Sequence, residues 1–254
     1  MTNDILKQGR SDIPQQGAET FDGIVLVDKP AGPTSHDVVA AIRRRFGFRK
    51  VGHGGTLDPQ ATGLLVILIG RGTGFADRFM GSDKTYAGCM RLGISTDTQD
   101  AQGKILEERD WTGVTRERLE EEMNKWRGDV YQTPPMVSAV KIDGVALYRR
   151  ARRGEVVERE PRLIHIYEFR LTEFDPPRVH FHLRCTKGTY VRTICADIGE
   201  ALGCGAHLES LRRLACGECR VEDALPLDSI LSMDRETLRS RIIPAARLPI
   251  SRSP

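Results

Sequence analysis

The apolar positions of this chain fall into three rhythms, and each predicts a different kind of element. Leu64 to Ile69 is a continuous apolar run of strand length, as expected for a strand buried on both faces. Val179, Phe181, Leu183 and Cys185 alternate with His180, His182 and Arg184, the period of a half-buried strand that leaves both histidines on its outer face. Val38, Val39, Ile42 and Phe46 share one side of a helix that Ser35 is placed to cap. A second helix is expected after Thr115, where Leu119, Met123 and Trp126 recur at helical spacing and Gly128 is placed to end it. A third runs from Tyr190 to Leu202 and is stopped by Gly203. With further strands at Gly23 to Val27 and Lys84 to Leu92, the fold class is mixed α/β.

Between Thr133 and Arg162 the rhythm breaks. Pro134-Pro135 and Asp143-Gly144 are turn signals and a basic stretch runs on to Gly154, so the segment reads as an insertion. The first twenty residues are polar, carry Gly9, Pro14 and Gly17, and lack the apolar core of a secretory signal, so they are expected to form a mobile tail. At 254 residues, 39% hydrophobic and 29% charged, the composition is that of a soluble globular protein. Leu64 to Ile69, the longest apolar run, is far too short to span a bilayer. Six cysteines without a signal sequence are expected to be reduced thiols in a cytoplasmic protein.

Cofactor motifs are weak. Cys204 with His207 and Cys216 with Cys219 repeat a ligand-like spacing, but the stretch between them is short for a zinc finger, so no metal is expected. The same Cys216-Gly217-Glu218-Cys219 lacks the context of a redox motif. Gly70-Arg71-Gly72-Thr73-Gly74 has no Walker lysine, and Asp97, Gln99, Asp100 and Gly103 are out of register for a calcium loop, so no cofactor is assigned. A net charge of +3 says little by itself. Its distribution says more: Arg43, Arg44, Arg45, Arg49 and Lys50 surround Phe46 and Phe48, and Arg149, Arg150, Arg152 and Arg153 form a second cluster. Each group is either a solvated face or a surface that neutralises nucleic-acid phosphates.

One carboxylate stands out. Asp58 follows Gly54 and Gly55 and precedes Pro59, just ahead of the apolar run, which suits a rigid loop that brings backbone close to a ligand; the same residues also suit a plain turn or helix cap.

Read together, His53-Gly54-Gly55-Thr56-Leu57-Asp58-Pro59, Lys29-Pro30-Ala31-Gly32-Pro33-Thr34-Ser35 and Lys187-Gly188-Thr189-Tyr190-Val191-Arg192 resemble the TruB family of tRNA pseudouridine-55 synthases. Asp83-Lys84-Thr85-Tyr86, Arg91-Leu92-Gly93 with Thr96-Asp97-Thr98, and Cys204-Gly205-Ala206-His207 before Leu211-Arg212-Arg213-Leu214 extend the match in the family's order. The resemblance covers about residues 22 to 225.

The resemblance implies a pseudouridine synthase fold, a large, mostly antiparallel sheet flanked by helices and loops, with residues 133–162 as a thumb-like insertion. It implies a catalytic domain over 21–225 and a short extension over 226–254 that is too small for the PUA-like domain many bacterial members carry. Asp58 becomes the essential carboxylate, Arg192 its ion-pair partner, and Tyr86 the ring against a flipped base, with Tyr190 and Leu211 lining the pocket and His53 stacking where the nucleotide was. Lys29 and Pro30 brace the loop. The implied partner is the T-arm of tRNA, with both arginine clusters on its backbone, and the chain is expected to act as a monomer without an obligatory protein partner. The competing reading is a tRNA-binding chaperone in which catalysis is incidental or lost.

Overall fold

The computed structural model describes residues 21–247 apart from 139, 140, 143, 148, 149, 151, 152 and 156, and backbone alone at 141, 142 and 146. The expected N-terminal tail, Arg149 and Arg152 therefore lie outside the described residues.

Fifteen strands are described. They are β1 (Gly23–Lys29), β2 (Val51–His53), β3 (Thr62–Ile69), β4 (Lys84–Leu92), β5 (Ile94–Thr96), β6 (Ile105–Glu108), β7 (Gly128–Gln132), β8 (Lys141–Ile142) and β9 (Val145–Ala146) in the first part of the chain. β10 (Arg162–Asp175), β11 (Arg178–Cys185), β12 (Ala206–Cys216), β13 (Cys219–Arg220), β14 (Leu225–Pro226) and β15 (Ile243–Pro244) follow. The described α-helices are α1 (Ser35–Phe46), α2 (Ala76–Gly81), α3 (Arg116–Asn124), α4 (Val191–Leu202), α5 (Leu227–Ser232) and α6 (Arg235–Arg241).

Eleven strands form one sheet with the path β14-β1-β3-β12-β4-β11-β10-β7, to which β2, β13 and β15 add as branches. Pairing is antiparallel except at β1–β14 and at β3–β12, where Arg212 faces Thr62 and Arg213 faces Gly63. This short parallel seam lies in the middle of the sheet. It needs a glycine: Gly63 has φ +95°, and a Cβ there would lie 2.3 Å from the Arg213 carbonyl oxygen.

β3 explains its own unbroken apolar run. Leu65, Ile67 and Ile69 pack against Val38, Val39, Ile42 and Phe46 of α1, while Leu64, Val66 and Leu68 pack with Phe79 of α2 on the other face. Each such fully buried side chain contributes about 1.5–3 kcal/mol of transfer free energy. β11 keeps the alternation read from sequence, with Val179, Phe181, Leu183 and Cys185 turned to a core that α3 and α4 cover.

Helix ends differ in detail from expectation. Thr34, not Ser35, caps α1, in a reciprocal capping box with Asp37. α3 ends at Asn124, because Lys125 to Arg127 turn away before Gly128, at φ +85°, opens β7. α4 stops at Gly203, at φ +84°, as read.

The segment after β14 is built into the fold. Ile230 of α5 and Leu238 of α6 are fully buried in the α1 core, and β15 pairs with β1. Among the described residues no helix is long and apolar enough to cross a membrane.

Candidate active site

The loop between β2 and β3 is held carbonyl by carbonyl. Arg213 donates to the oxygens of Gly55 and Thr56, the Ser35 hydroxyl to that of Leu57, and the Lys29 ammonium to that of Pro59. Ser35 also accepts from the Leu57 N–H at 2.9 Å, and the Gly32 N–H donates to Pro59. The first residue of α1 thus clasps the loop from both sides. Asp58 is left with its carboxylate turned outward, and the Ala61 N–H closes a tight turn on its carbonyl at 3.1 Å.

That carboxylate meets Arg192. Asp58 Oδ2 and Arg192 Nε form an ion pair at 2.9 Å, with the aspartate side chain 46% exposed and the arginine side chain only 6% exposed. The difference matters, because the acid can reach a ligand while the guanidinium cannot move to follow it. Arg192 is fixed further by donating to the carbonyls of Thr98 and Val137, both at 3.1 Å, and Asp100 Oδ2 stands 3.7 Å from it. An ion pair to a side chain held this firmly orients the carboxylate.

Of the other expected residues, Tyr190 and Lys29 lie close enough to Asp58 to feel its charge. Tyr86, on β4, and Leu211, on β12, both pack where the two large hydrophobic clusters meet. Burial pushes the Tyr86 phenol well above its ordinary range, and the charge of Arg213 works against that shift. Tyr190 precedes α4, and its phenol is also raised by burial, eased by Ser138 and by the Arg192 charge. His53 ends β2; its Nδ1 accepts from the Gly55 N–H at 3.3 Å, and burial with the charges of Arg213 and His36 depresses its pKa, which suits a neutral ring with an accepting Nδ1. Lys29 is completely buried, and desolvation lowers its ammonium to about 8 although Asp58 pulls it upward.

The basic clusters separate. Arg43 and Arg44 are exposed at the end of α1, whereas Arg45 donates to the carbonyls of Leu231 and Met233 at 2.7 and 2.6 Å and so ties α1 to α5. Arg153 is exposed, 3.9 Å from Glu155, and Arg150 is partly buried. Of the ligand-like quartet, His207 Nδ1 lies 2.9 Å from the Ile94 carbonyl and Cys216 donates to that of Phe79.

Three residues with a part in this geometry were not read from sequence as part of the site. Arg213 carries the loop; its signal was the second of two adjacent arginines set between the apolar Leu211 and Leu214. Gln132 grips Tyr190 by both backbone groups, and Ser35 was read as a cap. A cavity of about 660 Å³ beside Arg78, Thr85 and Arg184 lies apart from Asp58 and Arg192.

Comparison with known proteins places the chain in a family. Residues 43–191 match the N-terminal domain of the TruB family pseudouridylate synthases, and residues 192–248 match the tRNA pseudouridylate synthase B C-terminal domain. A protein named tRNA pseudouridine synthase B from Opitutus terrae is 49% identical over 229 residues, 90% of this chain and 95% of its own. Its namesake from Syntrophotalea carbinolica is 47% identical, covering 89% of this chain and 75% of its own. Among solved structures, a Cbf5-Nop10-Gar1 complex superposes with a TM-score of 0.67 at 29% identity, over 87% of this chain. This chain spans 60% of that longer one. An H/ACA RNP bound to a substrate RNA containing 2'-deoxyuridine gives 0.66 at 26% identity, over 87% of this chain and 59% of the other. With two matches that together run from residue 43 to 248, and with relatives near half identity along nearly all of the fold, this chain belongs to the TruB family of pseudouridylate synthases.

Proposed function

We propose that this pseudouridine synthase, an isomerase, converts uridine-55 in the T-arm of tRNA to pseudouridine, with Asp58 as its essential carboxylate. The reaction breaks the bond from uracil N1 to the ribose, turns the detached base, joins C5 to the same ribose carbon, gives up the C5 proton to solvent and takes one up at N1. Atoms and electrons balance without a redox partner. What the protein must supply is one well-placed carboxylate, a pocket that keeps the uracil, and a path for the proton.

The observation that carries this reading is the outward carboxylate of Asp58, 2.9 Å from an immobile Arg192, on a loop whose carbonyls at 55, 56, 57 and 59 are all engaged. Such preorganisation is what a reaction on an extruded base requires. Tyr86 stacks on the flipped uracil, Tyr190 and Leu211 wall the pocket, and His53 fills the space left in the RNA. A neutral histidine suits stacking better than proton transfer. Arg43, Arg44, Arg150 and Arg153 meet backbone phosphates, together with Arg149 and Arg152 by sequence. The relatives named tRNA pseudouridine synthase B support tRNA as the substrate class.

Tritium release from tRNA transcripts carrying C5-labelled uridine tests it. Release is expected from the transcript with uridine-55 and not from one with cytidine there. Binding without release would favour the tRNA chaperone, and equal release from both transcripts would refute the position.

A further inference from the structure

Arg213 is 1% exposed, a permanently charged side chain in the middle of a sheet. A buried guanidinium is tolerated only when its donors are used. Nε donates to the Leu64 carbonyl at 2.7 Å, Nη1 to that of Thr56 at 3.2 Å, and Nη2 to that of Gly55 at 3.1 Å. One side chain therefore joins β12 to β3 and to the turn that presents Asp58.

A structural anchor needs no more than this, yet Arg213 has a fourth neighbour. It stands directly opposite Tyr86 in the β12–β4 pair, so the two side chains share a face. Its three carbonyl bonds leave two guanidinium N–H groups unspent, and the charge of Arg213 acts on the phenol across the strand pair. Arginine can only donate. A donor-only cation on the same face attracts the phenolic oxygen, which turns the proton of Tyr86 away from Arg213.

We propose that Arg213 is a positioning residue for the isomerisation: it turns the Tyr86 O–H toward the bound uracil while it fixes the Asp58 loop through Gly55 and Thr56. The inference rests on the reaction proposed above. It adds that the geometry of acid and phenol is set by one shared side chain, so that neither can be adjusted without the other. The counter-effect of Arg213 on the raised phenol has the same origin.

The test pairs kinetics with spectroscopy. Arg213→Lys keeps the charge but cannot span the same acceptors. In single turnover at saturating tRNA it should slow isomerisation by roughly 100-fold, and tRNA affinity should change by less than about 3-fold. In a Tyr86→Phe background the same substitution should cost at least about 5-fold less, because its phenol-directed part is already gone. Equal cost in both backgrounds would overturn the proposal. Independently of activity, 3-fluorotyrosine placed at position 86 reports the phenol by ¹⁹F NMR, and Arg213→Gln should raise its titration midpoint, with Arg213→Lys raising it less. Both variants are read below their own unfolding midpoints. An unshifted midpoint in both would overturn the coupling even if the chain proved not to act on tRNA, and a shift without any tritium release would retain the coupling and refute the reaction.

Discussion

Gln132 holds Tyr190 by both of its backbone polar groups: the amide nitrogen donates to the Tyr190 carbonyl at 3.1 Å and the amide oxygen accepts from the Tyr190 N–H at 2.8 Å. Gln132 is 3% exposed and ends β7, where the insertion begins; Tyr190 starts the helix that carries Arg192. The insertion's base is thus bonded to a residue two positions ahead of Arg192. Gln132→Ala should destabilise the fold by about 2 kcal/mol, since it strands a buried donor and acceptor. Urea unfolding measures this, and single-turnover rates should fall with it because Val137 also holds Arg192.

Asp58→Asn preserves volume and removes the charge. Isomerisation should drop below detection in a tritium-release assay, while tRNA binding measured by filter retention stays within about 3-fold of the parent, since a group acting on the reacting atoms alters the chemical step and not uniform binding. Turnover near that of the parent would remove Asp58 from the chemistry.

The buried ammonium of Lys29 makes a pH prediction. In the folded chain desolvation lowers it to about 8, against about 10.4 when unfolded. Between those values the unfolded chain binds the proton more, so this residue's unfavourable contribution is complete below about 8 and is relieved as pH rises toward 10.4. Stability of the parent relative to Lys29→Met should therefore increase from pH 8 to 10. Other groups titrate in this range, which is why the difference between the two proteins is the quantity to follow by denaturant unfolding.

Arg43, Arg44 and Arg45 are neighbours in sequence with different surroundings. Neutralising Arg43 and Arg44, both exposed, should weaken tRNA binding and flatten its salt dependence by about one unit of slope per lost phosphate contact. Arg45→Ala should instead cost about 1 kcal/mol of stability, because two carbonyls at the end of α5 lose their donor. A salt series and a thermal melt on both variants separate the two roles.

Much of the fold was legible because the relevant signals were local. Lys84 to Leu92 emerged as a strand with those limits, β11 kept its alternation, and Gly203 ended α4 as read. β12 was quoted for its motif and not read as the strand at the centre of the sheet. Glu209, Arg212 and Arg213 interrupt its apolar pattern, and only the folded chain shows how each charge is met: Glu209 by Arg91 and Arg178, Arg212 by Asp28, Arg213 by three carbonyls. Likewise α5 and α6 are too short to display a helical period, so the segment after β14 looked like an appendage. At the site, Asp58 and Arg192 were readable from motifs, whereas Gln132 and Arg213 act through main-chain atoms, which leave no trace in side-chain spacing.

The parallel seam between β3 and β12 has a further consequence. It is only two residue pairs long, and it divides the strand that leads away from Asp58 from those that carry Tyr86 and lead into Arg192. Slight parting along this line would pull acid from guanidinium long before either apolar cluster admitted water. On gentle warming, catalytic competence should vanish while the circular dichroism of the sheet is still intact, which makes turnover the earliest gauge of this protein's loosening.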